Sequence, residues 1–360
     1  MKKILLFLLA FTNLMYPCTG INISSADGAF ISARSIEYAE SNLNSKLVIV
    51  GKNQNFVSLL PNTKETGLKY KSKYAYVGIS VMDDRFIAEG INEAGLNAGL
   101  FYFPHYGSLK RYDKKYKNKS IIDMQLVSYL LANYKNVEEV KKAIKNIIVL
   151  NIAYDENNNP LPTAHYRVSD SKQNSIVIEI VNNGEVKIYD NKVGILTNSP
   201  DFEWQVKNLN NYINLKAGNA LNDLEDEKLF SFGAGTAALG LPGDITPPSR
   251  FVRAFFYKST MPKPKDNISA INNAFVILNN FDIPVWIEYP KNAQEHIPNN
   301  LKSATQWTSV SDLTNKVFYY KTMNNSQIRK VDLNKIDFNN ITYKILELDE
   351  KESIKELKIN

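Results

Sequence analysis

The chain has 360 residues, 44% of them apolar, a formal charge of +6 and a single cysteine. That supports one large core or two modest ones, and because no shift in composition divides the chain, one domain of unusual size is expected. The lysines are scattered among acids, as in residues 110–119 and 138–145, which argues for a solvated surface and against a nucleic-acid or membrane-binding patch. One cysteine excludes an internal disulfide.

Lys2 and Lys3 precede an apolar run over residues 4–11, followed by small and polar positions up to Pro17. This pattern reads as a signal peptide, so residues 1–17 are expected to be a leader and the protein exported, periplasmic or secreted. No later segment reaches the roughly 20 apolar residues that crossing a bilayer requires. Residues 20–25 then alternate apolar and polar, Asp27-Gly28 makes a turn and residues 29–35 alternate again, which predicts a hairpin at the start of the mature chain. Extended segments follow at residues 47–50, 74–81, 86–91 and 95–103.

Helical periodicity appears at residues 121–133 and 137–147, the second with Asn136 and Glu139 at capping-box spacing. Strands resume at residues 166–168, 175–181, 185–189 and 194–197; helices are expected at 249–258 and 268–281. Residues 305–313 and 317–322 form a last antiparallel pair about the turn Thr314-Asn315. Strands, helices, strands, helices, strands is the order of a layered α+β fold with antiparallel sheets. The glycine-rich run over residues 233–243 lacks the lysine and hydroxyl of a phosphate loop and reads as a tight loop approaching a neighbouring backbone. Residues 346–360 are expected to be a charged tail.

An unpaired thiol in an exported chain needs a reason, and the position of Cys18 leaves three: an inert buried thiol, a lipid-attachment cysteine of a lipoprotein or binding protein, or a nucleophile. None of His105, His165 and His296 sits in a motif that marks it as the base. A cysteine at a new N-terminus needs no histidine, because its own α-amine, with a pKa of about 7.7 to 8.0, can take the thiol proton. No paired cysteines or histidines fall at metal-ligand spacing, so neither metal nor cofactor is expected. In isolation Arg34 and Arg250 read as surface charges, Asn198 as a turn residue before Pro200 and Glu37 as a solvated side chain.

Five motifs in register change that reading. Cys18-Thr19-Gly20, Ala33-Arg34-Ser35-Ile36-Glu37, Asn92-Glu93-Ala94-Gly95-Leu96, Leu196-Thr197-Asn198-Ser199-Pro200 with Trp204 after it, and Gly240-Leu241-Pro242-Gly243-Asp244 through Arg250 resemble the choloylglycine hydrolase and penicillin V acylase family. The resemblance runs from Cys18 to about Leu333, and residues 247–253 and 305–308 are similar to its Gram-negative branch. It implies an N-terminal nucleophile hydrolase fold, two antiparallel sheets between helical layers over residues 18–345, and hydrolysis of linear amides such as penicillin V, N-acyl homoserine lactones or conjugated bile salts.

Carried over by resemblance, Cys18 is the nucleophile, Arg34 lies beside its thiol and Glu37 holds the α-amine. Asn198 supplies the side-chain donor of the oxyanion hole and Phe101 the backbone donor, while Arg250 organises the site. Phe101, Tyr102 and Phe103 would line an aromatic acyl pocket. Most members have aspartate where Glu37 stands, and the added methylene shifts the carboxylate by about 1 Å or more. Pro17 is a poor signal-peptidase site, so upstream cleavage followed by self-trimming is one expected route. The family forms homotetramers through a loop after the Trp204 region; residues 208–228 here have unremarkable length, which leaves a homo-oligomer open. The implied partner is a small acyl-amide substrate.

Overall fold

The computed structural model describes residues 17–155, 157–161, 163–222, 229–349 and 356. The expected leader lies outside these apart from Pro17, as do residues 223–228 of the loop and most of the expected tail.

In chain order the strands are β1 (Cys18–Ser24), β2 (Phe30–Glu37), β3 (Lys46–Val50), β4 (Asn55–Leu59), β5 (Thr66–Lys71), β6 (Tyr76–Val81), β7 (Asp83–Asn92), β8 (Asn97–Tyr102) and β9 (Ser120–Ile122). Helices α1 (Leu126–Asn133) and α2 (Val137–Ala143) follow, then β10 (Ile148–Leu150), β11 (Ala164–Ser169), β12 (Ser175–Val181), β13 (Glu185–Asp190) and β14 (Ile195–Leu196). Helices α3 (Phe202–Asn208), α4 (Pro247–Thr260) and α5 (Asn267–Asn279) precede β15 (Thr305–Asp312), β16 (Val317–Thr322), β17 (Arg329–Asp332) and β18 (Tyr343–Glu347).

Two antiparallel sheets carry the fold. A six-stranded sheet is ordered β14-β1-β2-β15-β16-β17 and an eight-stranded sheet β13-β12-β11-β8-β7-β6-β3-β18. Helices α4 and α5 cover the first on β1, β2 and β15, and α1 covers the second on β7 and β8, which gives the αββα sandwich the resemblance implied. Among the described residues no helix is long and apolar enough to cross a membrane.

Register explains how the site is delivered. In the first hairpin Cys18 faces Ile36, Thr19 faces Ser35 and Gly20 faces Arg34. Alternate side chains of a strand take opposite faces. Gly20 and Asn22 therefore meet the second sheet, where Asn22 reaches Ser169, while Thr19 turns toward α4.

Two expectations need correction. Residues 121–133 are not one helix: Ile121 and Ile122 belong to β9, which pairs in parallel with β10, and helix starts only at Leu126 after a 3-10 turn. Two β-branched residues ahead of an amphipathic run satisfy either period, and tertiary pairing decides. The run 233–243 approaches a neighbouring backbone as expected, Ala237 donating to the Gly218 carbonyl at 3.2 Å and accepting from the Lys216 N–H at 3.1 Å, but its glycines are not what the approach requires. The space a Cβ would take at Gly233, Gly235, Gly240 and Gly243 is empty, and the first three are needed for their left-handed φ of 102°, 88° and 93°. The expected tail boundary at residue 346 falls inside β18, which pairs with β3 through Glu347. The hairpin of β4 and β5, half-exposed and set apart from both main sheets, was not among the expected elements, although Leu68-Lys69-Tyr70-Lys71 alternates.

Gly90 marks where helix and sheet close. It pairs with Gly78 across β6 and β7, and a Cβ there would lie 2.7 Å from the Val77 carbonyl oxygen and 2.8 Å from a Leu131 methyl of α1. Gly90→Ala is expected to lower unfolding free energy by about 1–3 kcal/mol through overpacking, read by urea denaturation; an unchanged midpoint would show that α1 does not pack this tightly.

Candidate active site

Cys18 opens β1 and is 3% exposed. Four expected residues surround it. Arg34 Nη2 donates to Cys18 Sγ at 2.8 Å, and the Cys18 backbone N–H donates to Asn198 Oδ1 at 2.7 Å. Arg250 Nη1 donates to the Cys18 carbonyl at 2.5 Å and to the Thr19 hydroxyl at 2.8 Å, and its Nη2 donates to Asn198 Oδ1 at 2.8 Å. Asn198 turns its amide N–H toward the Tyr102 carbonyl at 2.8 Å, leaving a second N–H free to donate elsewhere. Residues from β2, the loop after β14 and the first turn of α4 thus converge on Cys18, one on its sulfur, one on its nitrogen and one on its carbonyl. Thr246, Pro247 and Pro248 start α4, and prolines at the first helical positions need no N–H partner.

Glu37 ends β2, where its N–H donates to the Pro17 carbonyl at 3.0 Å. Its side chain is 1% exposed, and neither carboxyl oxygen accepts a hydrogen bond among the described residues. Burial pushes its carboxyl up to about 8, against the pull of Arg250, the Ser35 hydroxyl and Arg34. Burial likewise raises the Cys18 thiol, although Arg34, Arg250 and the backbone N–H of Tyr102 each favour the thiolate. With Pro17 attached, the Cys18 nitrogen is an amide and cannot take the proton.

Phe101 does not occupy its expected place. The backbone N–H that faces the thiol is that of Tyr102. Adjacent N–H groups of a strand point to opposite sides, so only one of the two can serve. The Phe101 ring is fully buried between the sheets, 4.2 Å from the Arg34 guanidinium and 5.4 Å from that of Arg167, and Phe103 stacks on His165 at 4.2 Å. Of the three aromatics only Tyr102 lines the cavity above Cys18. That cavity encloses about 610 Å³, with walls from Leu43, Phe86, Leu100, Met124 and Ile152 among others.

Sequence reasoning missed what holds Arg34. Its Nη1 donates to the carbonyls of Leu100 (2.5 Å) and Ala88 (3.3 Å), and the guanidinium lies 5.5 Å from the Trp307 ring. Glu89, fully buried, stands 3.9 Å from Arg34 and 3.6 Å from Arg167, and accepts from Asn97 at 2.6 Å. Burial lowers Arg167 to about 10 and raises Glu89 above the usual carboxylate range. The available signal was a lone charge inside an apolar strand, as in Ile87-Ala88-Glu89-Gly90-Ile91 and Tyr166-Arg167-Val168. No histidine among the described residues lines the cavity; His165 is buried between Glu179 and the Thr197 carbonyl.

With this geometry in hand, comparison with known proteins is specific. The model of the linear amide C-N hydrolases, choloylglycine hydrolase family, matches residues 18–348. This chain belongs to that family. A bile salt hydrolase/transferase of Clostridium perfringens is 35% identical over 334 residues, 91% of this chain and 96% of the relative. The penicillin V acylase of Pectobacterium atrosepticum is 27% identical over 75% of this chain and 69% of its own. Among solved structures, a mutant conjugated bile acid hydrolase from Clostridium perfringens superposes with a TM-score of 0.78 at 31% identity, covering 95% of this chain and all of that one. A penicillin V acylase from Agrobacterium tumefaciens shares the fold with a TM-score of 0.72 at 23% identity. The chain is thus a hydrolase of linear amide carbon–nitrogen bonds, of the bile salt hydrolase and penicillin V acylase type.

Two outcomes follow from the charges. Glu37 has a folded pKa of about 8 against an ordinary value of 4.5. Between those values the folded chain keeps a proton that the unfolded chain has released, so stability falls as pH rises and is flat outside that window. The chain retaining Pro17 is expected to lose on the order of a few kcal/mol from pH 5 to 8 relative to Glu37→Gln; parallel pH profiles for the two proteins would contradict this. Glu89→Ala, which leaves Arg34 and Arg167 facing each other unpaired, is expected to cost about 3–5 kcal/mol in urea unfolding, and a loss below about 1 kcal/mol would show the trio to be loosely coupled.

Proposed function

We propose that the chain is exported, is processed so that Cys18 becomes its first residue, and cuts linear amides through a thioester on Cys18. One observation carries this reading: the backbone nitrogen and the sulfur of Cys18 are each held by a separate buried partner, Asn198 and Arg34, at the floor of a largely apolar cavity.

Cleavage of the Pro17–Cys18 bond would turn that nitrogen into an amine within the same residue as the thiol. The amine takes the thiol proton and Sγ attacks the amide carbonyl carbon. The oxygen that becomes negative is met by the second N–H of Asn198 and by the Tyr102 N–H, donors already in place before charge develops. The carbon–nitrogen bond breaks, the α-amine returns the proton to the leaving amine, and water then splits the thioester to release the acid and the free thiol. Arg250 holds the Cys18 carbonyl and Asn198 in register, and Glu37 becomes the counter-ion of the new ammonium. The resident residues complete this sequence without a cofactor. Phenoxyacetyl, fatty acyl and steroid acyl groups are all of a size and polarity for the cavity, with penicillin V, an N-acyl homoserine lactone and a conjugated bile salt as representative substrates.

Intact mass and N-terminal sequencing of the protein recovered from its producing cells, with assays of penicillin V, an N-acyl homoserine lactone and glycodeoxycholate, test the proposal. A mature chain starting at Cys18 and loss of at least about a thousandfold in rate for Cys18→Ser are expected. A chain that keeps Pro17 and cuts none of the three amides, or one bearing lipid on Cys18, would sink it.

A further inference from the structure

The two donors placed at the developing oxyanion arrive from different parts of the chain: Tyr102 ends β8, and Asn198 follows β14, whose pairing with β1 stops at Leu196. Past Leu196 the backbone leaves the sheet, and side chains take over its placement. The ring of His165, on β11, acts from a fully buried position behind the cavity, whose lining it does not join. Its Nε2 donates to the Thr197 carbonyl at 2.9 Å, a direction the chemistry dictates because a carbonyl only accepts. Its face stacks on Phe103 at 4.2 Å, with the two planes 9° apart. Thr197 precedes Asn198 and Phe103 follows Tyr102, so one ring touches the residue next to each donor.

Glu179, on β12 beside β11, holds the other end of the same loop. Its Oε1 accepts from the Phe202 N–H at 2.7 Å, where α3 begins, and lies 3.3 Å from His165 Nδ1. The segment carrying Asn198 is therefore gripped at Thr197 by one partner and at Phe202 by another, and the two partners meet each other inside the fold. Between the grips, Asn198 Nδ2 donates to the Tyr102 carbonyl at 2.8 Å, which ties the loop to β8. Packing alone would be served by an apolar pair of similar size, without the desolvation that a buried imidazole and carboxyl carry. The polar pair is accounted for by what its bonds hold.

We propose that His165 and Glu179 are positioning residues for the oxyanion hole, clamping residues 197–202 at both ends so that the Asn198 side chain and the Tyr102 N–H keep their spacing while charge develops; this rests on the oxyanion roles given to those two donors above. Neither His165 nor Glu179 lines the cavity, so neither touches substrate. Their effect falls on the transition state and not on ground-state binding, and it is read in kcat while KM stays.

The test compares His165→Phe, which keeps a flat ring for Phe103 and removes the donor, with His165→Gln, which keeps an N–H for the Thr197 carbonyl. On chains starting at Cys18, assayed with penicillin V, N-decanoyl homoserine lactone and glycodeoxycholate, His165→Phe is expected to lower kcat by about 10- to 100-fold while KM changes by less than about threefold. His165→Gln, with its donor retained, is expected to lose only about three- to tenfold in kcat. A kcat for His165→Phe within about twofold of the unaltered chain, a KM that rises as far as kcat falls, or a His165→Gln no better than His165→Phe overturns the proposal. Should His165→Phe fail to fold, the same split read on His165→Gln and Glu179→Ala decides, and an unchanged kcat in both overturns it. Asn198→Ala separates this proposal from the reading beneath it. Full kcat in that variant, or no cleavage of any of the three amides by the unaltered chain, is a failure of the oxyanion and hydrolase reading. Amide hydrogen exchange over residues 197–202 then judges the clamp by itself: faster exchange in His165→Gln is expected, and unchanged protection overturns it.

Discussion

Everything at this site depends on one buried carboxylate between two arginines. Glu89 sits on the second sheet and faces Arg34 from the first and Arg167 from its own, so the two sheets meet across charges as well as through apolar side chains. Taking three ions out of water is expensive, and burial shows its weight in the lowered pKa of Arg167 and the raised pKa of Glu89. Its members are partly satisfied elsewhere: Arg34 by two carbonyls and two aromatic faces and Glu89 Oε1 by Asn97, whereas Glu89 Oε2 and Arg167 Nε and Nη2 accept or donate no hydrogen bond among the described residues. A guanidinium suits the task better than an ammonium, since its flat fork reaches carbonyls and sulfur at once while its faces stack on Phe101 and Trp307.

The thiol is the beneficiary of this rigidity and its victim. Arg34 and Arg250 favour the thiolate, yet burial outweighs both, and the proton stays on sulfur while Pro17 is attached. Glu37 experiences the same competition: burial raises its carboxyl, and Arg250, the Ser35 hydroxyl and Arg34 offset that rise only in part. Both groups are therefore held in their neutral forms by one cause, the absence of water. A single added positive charge near them would shift both toward ionisation.

Much of the architecture was legible in the amino-acid sequence where a period was clean. The hairpin of residues 20–35, the strands around residues 175–189 and the pair 305–322 stand where alternation placed them, and Asn136 caps its helix by accepting from the Glu139 N–H. Legibility failed where one pattern serves two structures, as at Ile121-Ile122, or where an element is defined by partners far along the chain, as with β18 on β3. At the site, the motifs brought Cys18, Arg34, Glu37, Asn198 and Arg250 together on the right residues. They missed by one position the backbone donor, because a motif does not reveal which way a strand turns its N–H groups. Glu89 and Arg167 escaped notice for a related reason: residues 86–92 of β7 and every residue of β11 are buried, so there was no polar face against which an inward charge would stand out.

The peptide bond between Pro17 and Cys18 gives the last point. Arg34, Asn198, Arg250 and the Tyr102 N–H are already arranged around Cys18 with that bond intact, so nothing about the scaffold waits to be built. What the unprocessed chain lacks is only a lone pair, because an amide nitrogen delocalises the one an amine would offer. On the processing proposed above, the change at Cys18 would be one of valence and not of shape, a single bond exchanged for an amine within a framework whose hydrogen bonds already stand.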